Sequence, residues 1–116
     1  MATFTKILLS GSANGRGIPI TATSSPGDTV HTSVSGTSDL DEIWIYTVNQ
    51  SGSGAVIVIE FGGTDPSDDI TVNMHNNVGM QLVIPGMLLN NSTVVSVYTS
   101  VGTGIIIQGF VNRITG

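Results

Sequence analysis

A chain of 116 residues with 9% charged side chains and a formal net charge of −5 has the size of one domain, and its only cations besides histidine are Lys6, Arg16 and Arg113. So few cations exclude a nucleic-acid groove, which gains affinity by releasing counterions through many Lys and Arg contacts. The absence of cysteine excludes disulfides, thiol catalysis and Cys-ligated zinc, and no apolar run approaches the roughly 20 residues of a membrane-crossing helix.

Ser, Thr, Asn and Gly fill the polar half of the chain, while Val and Ile dominate the apolar half. β-Branched side chains pack well on a pleated surface and lose rotamer freedom in helices, so this mixture predicts strands and turns. Eight or nine short β-type runs recur between Gly, Pro, Asn and Asp clusters, the pattern of an antiparallel sandwich or barrel. The expected architecture is a single all-β domain over residues 1–116, a jelly-roll-like β-sandwich; immunoglobulin topology is disfavoured because its Cys and Trp spacing is missing.

The first run is Thr3 to Leu9, and the turn-forming Ser10 to Gly15 follows it. Residues 1–9 are expected either as the first strand of the sandwich or as an arm exchanged with a neighbouring chain. Gly17 to Thr23 comes next, confined by Pro19 to a sheet edge or a strand start. In Ser24-Ser25-Pro26-Gly27-Asp28 the sequence predicts a turn with Pro26 at its second position and a positive φ at Gly27, before a strand from Thr29 to Val34. Asp41 to Val48 is almost uninterrupted apolar or aromatic, which predicts a strand covered on both faces, and Ala55 to Phe61 repeats that pattern. The two are expected to pair antiparallel at the centre of one sheet. Ile70 to Met74 and Gly79 to Ile84 follow, the latter stopped by Pro85-Gly86, with Met87 to Leu89 as a turn or short strand. Thr93 to Ser100 and Ile105 to Ile114 are expected as a hairpin closed by Val101-Gly102-Thr103-Gly104.

Tests for chemistry leave little. A nucleophile needs an activating base, and the imidazoles are His31, inside an expected strand, and His75, in an expected turn. Each reads as a structural histidine. Asp65, Asp68 and Asp69 supply hard oxygen ligands but lack the alternation and closing Glu of an EF-hand, so a solvated loop is expected in place of a metal site. Gly11, Gly15 and Gly17 have the wrong spacing for a dinucleotide loop. Arg16 and Arg113 each read equally as a bidentate clamp on a carboxylate such as Asp41 or Glu42 and as an ordinary surface charge. Trp44, Tyr46 and Tyr98 offer either a sugar-stacking face or, better matched to the pattern around Trp44 and Tyr46, core or interface packing. No catalytic residue, metal ligand or cofactor is expected. The candidate interface residues are Thr3, Phe4, Thr5, Lys6, Ile7, Arg16, Trp44, Tyr46 and Arg113.

Several stretches, in order and nearly end to end, resemble short virion proteins of tailed phages that decorate or cement the head. They are Leu8-Leu9-Ser10-Gly11-Ser12 with Asn14-Gly15-Arg16, Val30-His31-Thr32, Asp41-Glu42-Ile43-Trp44, Glu60-Phe61-Gly62-Gly63-Thr64, Pro85-Gly86, and Gly109-Phe110-Val111-Asn112-Arg113-Ile114. The resemblance implies a non-enzymatic β-rich subunit made in the host cytoplasm, bound as a trimer on the outer capsid surface, with the major capsid protein as partner and neither nucleic acid nor membrane involved. The alternatives are a receptor- or glycan-binding module of a head spike or fibre, and a structural protein of the neck or tail.

Overall fold

The computed structural model describes residues 2–116. Among them nine strands form: β1 (Thr3–Leu8), β2 (Ile18–Ile20), β3 (Asp28–Thr32), β4 (Leu40–Asn49), β5 (Ala55–Phe61), β6 (Asp69–Met74), β7 (Gln81–Leu89), β8 (Val94–Thr99) and β9 (Ile105–Thr115). They build two antiparallel sheets. Sheet A has the order β1, β9, β4, β7, with β2 pairing the first residues of β9 and β1 its last ones. Sheet B has the order β3, β8, β5, β6. The all-β, single-domain sandwich expected from the composition is therefore observed.

Alternation builds the core. Along β4, Asp41, Ile43, Ile45, Thr47 and Asn49 are buried, while the residues between them are half-buried on the other face. Ile43 and Ile45 meet Ile105, Ile107 and Val111 of β9 and, from sheet B, Val30, Ile57, Ile59, Val95 and Val97, all of them isoleucine or valine on opposed pleats and all lying in one cluster.

Four expectations fail, for related reasons. The chain passes from one sheet to the other at almost every connection, so β4 and β5 are not neighbours; each is central in its own sheet. The five residues between them easily span the roughly 10 Å that separates packed sheets. Asn49 holds that corner, its Nδ2 donating to the carbonyls of Ser53 and Met74 at 2.9 and 3.0 Å and its Oδ1 accepting from the Ser51 N–H and hydroxyl. β8 and β9 likewise lie in different sheets, so the turn between them is a crossover and not a hairpin. Pro85-Gly86 does not stop a strand: β7 runs through it with shifted register opposite Ile43 and Trp44, which an edge strand tolerates because the proline need not donate to a ladder. The turn at residues 24–28 is held by a carboxylate, with the Ser25 hydroxyl and the Gly27 N–H both donating to buried Glu60, and Gly27 does not take the positive φ expected of it. Pro19, as expected, lies on an edge strand.

Candidate interaction face

The outward side of sheet A is assembled by strand register. Three rows cross it from β1 through β9 to β4: Phe4, Ile114 and Leu40; Lys6, Asn112 and Glu42; Leu8, Phe110 and Trp44. Further along, Gln108 faces Tyr46 and Ile106 faces Val48. From β7, Leu88 lies opposite Glu42, Pro85 opposite Trp44 and Leu82 opposite Tyr46. Phe4 is 69% exposed, Leu8 51%, Leu88 50% and Leu82 45%. Isolated exposed apolar groups are ordinary, but a contiguous sheet face of them marks a surface that another molecule covers.

A ladder of rings runs through the centre of this face in strand order. The Lys6 ammonium sits 5.0 Å from the centre of the Phe110 ring. Phe110 stacks on Trp44 with centroids 5.9 Å apart and planes 9° from parallel. Gly86 of β7 closes on the indole: a Cβ there would lie 2.8 Å from Trp44 Cζ2, and its φ of 79° already favours glycine. Glu42 anchors the ring in its plane, its Oε1 accepting from Trp44 Nε1 at 2.8 Å and from Asn112 Nδ2 at 3.0 Å. Those two bonds, that from Asn112 first, hold the Glu42 carboxyl below the usual carboxylate range.

Beneath the face, a buried polar cluster ties the same strands together. Asp41 is fully buried and receives Arg113 Nε at 2.7 Å and Nη2 at 2.9 Å, together with the Val34 N–H at 3.0 Å and His31 Nε2 at 2.8 Å. Burial pushes the Asp41 carboxyl up, yet the bonds from Arg113 and His31 outweigh it and leave the group below its ordinary value. His31 Nδ1 accepts from the Ser10 N–H at 3.0 Å, so Nε2 carries the proton that goes to Asp41. With both nitrogens engaged and no exposed surface, His31 has no free nitrogen to act as a general base. The cluster pins the end of β1 and the last strand of sheet A to the β3–β4 side of the core.

The expected interface residues divide. Phe4, Lys6, Trp44 and Tyr46 lie together on the outer face. Arg16 borders it, lining with Gly17, Pro19, Ile106 and Gln108 a depression of about 460 Å³ at the β2 end. Thr3, Thr5 and Ile7 alternate to the other side of β1, where Ile7 packs on the core. Arg113 points inward to Asp41, the bidentate clamp its residue type suggests. Among the described residues Arg16 forms no ion pair. Sequence reasoning missed Leu40, Leu82, Leu88, Phe110 and Ile114. Only strand pairing places these beside Trp44, although alternation along 105–115 separates Phe110 and Ile114 from the buried Val111.

Within the expected segment 1–9, Thr3–Leu8 forms β1 along β9 of its own chain and Leu9 is buried, while Met1 lies outside the described residues. His75 is exposed beside a small cleft of about 230 Å³ lined by Ala55, Val56, Met74 and Ser100. Asp65 and Asp68 belong to a single 3-10 turn in which the Asp65 N–H donates to Asp68 Oδ2 at 3.2 Å; Asp65 is exposed and Asp68 half-buried. No helix among the described residues is long and apolar enough to cross a membrane. Comparison with family models, with curated proteins and with solved structures finds no match.

Proposed function

We propose that the protein is a non-enzymatic structural subunit of a tailed-phage virion, a decoration or cement protein that sits as a trimer on the outer head and braces contacts between copies of the major capsid protein. The observation that carries this reading is the outer face of sheet A, a charge-poor apolar surface several strands wide that nothing within the chain covers. A surface of that kind suits many weak contacts acting together on an assembled lattice, and binding the assembled shell alone stabilises it by mass action. The interleaved strand order, with β2 or β1, β9, β4 and β7 against β3, β8, β5 and β6, supports the jelly-roll reading, an architecture common in viral capsid and lectin domains.

The geometry favours this over the glycan-binding alternative. Sugar recognition by stacking needs free ring faces, whereas Phe110 is enclosed between Lys6 and Trp44, and Trp44 between Phe110 and Gly86. What the face leaves open is aliphatic: Phe4 aside, chiefly Leu8, Leu82 and Leu88.

Cosedimentation tests the proposal. Added to expanded heads that lack it, the protein is expected to pellet saturably, at three copies per bound site, and to raise the temperature at which filled heads rupture. Saturable binding to host-cell glycans with no binding to heads would contradict it.

A further inference from the structure

The outer face of sheet A carries its own complement. Lys6 and Glu42 lie in one row, each one strand away from β9 on opposite sides, with Asn112 between them. Within the chain Lys6 has no carboxylate partner among the described residues, and Glu42 uses Oε1 for both of its bonds while Oε2 takes none. A half-turn about an axis lying along β9 in the plane of the face exchanges the β1 side with the β4 side and keeps every row at its height. It therefore sets Lys6 of one copy over Glu42 of the other, twice. The same operation sets Phe4 over Leu40 and Leu8 over Trp44, and brings Phe110 and Ile114 onto their own counterparts.

We infer that this face is a two-fold contact between two copies of the chain, stacked sheet A on sheet A. Sheets pack face to face with strands crossing at about 30°, which moves the axis only about 15° off β9 and leaves the rows near it in register. About that axis three strands overlap, β1, β9 and β4; at their normal spacing along the length of β9 they offer on the order of 500 Å² per copy, below the roughly 800 Å² per partner of a standard interface and suited to a weak, concentration-dependent contact. An isologous contact requires this kind of self-complementarity: two opposite charges at equal distances from the axis, with apolar groups on it. The inference does not rest on the capsid reading; it concerns the free protein, in which the face that the capsid reading sets against the shell pairs with a second copy, so the pair must open before the shell is bound.

Trp44 is the sole tryptophan and lies inside the contact, so its fluorescence reports on it. In a dilution series of the purified full chain, followed by native mass spectrometry and by acrylamide quenching, dimers or other even-numbered species are expected at high concentration. Trp44 should become more accessible as they dissociate. Lys6→Glu is expected to weaken the association about tenfold by facing Glu42 with a like charge, and adding Glu42→Lys in the same chain to restore it. Should the double variant fail to fold, Lys6→Gln and Glu42→Gln serve instead, each lowering the association and its sensitivity to salt. Monomers or odd-numbered species alone, with quenching independent of concentration, would overturn the inference. So would Trp44 protection that appears only on adding phage heads, which assigns the face to the capsid protein.

Discussion

At the scale of single residues, stability rests on a few buried carboxylates whose bonds are complete. Asp41 accepts from Arg113, His31 and the Val34 N–H, and Glu60 accepts from Ser25, Gly27 and Ser96. For both, burial pushes the carboxyl up and the hydrogen bonds more than reverse it, so each folded-state pKa lies below its ordinary value of 3.8 or 4.5. A depressed carboxylate contributes stability that is present above its unfolded pKa and is lost as pH falls through the folded one. The urea midpoint is therefore expected to carry the full contribution of these two groups above about pH 5, where it does not change with pH, and to fall steeply below pH 4, with Asp41→Asn flattening that acid limb. Asp41→Ala is expected to cost about 3 kcal/mol at neutral pH, since it leaves the His31 and Val34 donors buried and Arg113 without its clamp. At Gly86, alanine meets both a positive φ and the indole of Trp44; Gly86→Ala should cost about 2 kcal/mol in thermal unfolding and alter the near-ultraviolet signal of Trp44.

At the scale of elements, β1 and β4 are opposites. β4 pairs on both sides, with β9 and β7, whereas β1 pairs only with β9 and exposes five of its six side chains. Hydrogen exchange is expected to be fastest in sheet A at the β1 amides and slowest along β4 and the middle of β9; equal protection of β1 and β4 would show that β1 is held by more than its edge. The existence of these elements was legible because Val- and Ile-rich runs are separated by Gly, Asn and Asp turns, while bounds failed where β7 runs on through Pro85-Gly86 and where β2 covers only Ile18–Ile20. Residues 55–61 match the strand without adjustment. Pairing was not legible: Asp41 to Val48 reads as apolar on both faces because Trp44, Tyr46 and Val48 point outward, and an exposed apolar face has the same local signature as a buried one. Hairpin logic failed at residues 101–104 since a Gly-rich turn permits a crossover as readily as a reversal. The Arg113 clamp was half legible from residue type, and its choice of Asp41 over Glu42 follows from alternation, which places Asp41 inward and Glu42 outward on β4.

At the scale of the whole molecule, two sheets close one apolar core, and the outward side of sheet A presents exposed apolar side chains around a Lys6–Asn112–Glu42 row, with the faces of Phe110 and Trp44 already filled by their own neighbours. Among the described residues neither imidazole is set up as a base: His31 is locked by two hydrogen bonds, and His75 stands exposed in a turn with no acidic partner. The proposed place for that adhesion is the phage head, where many identical contacts sum over a lattice. The most direct test is an image reconstruction of the intact virion. The account predicts density for this β-sandwich outside the capsid shell at local three-fold positions, with the outer face of sheet A covered. Heads bare of it, or its presence only at a fibre tip with that face open to solvent, would contradict it.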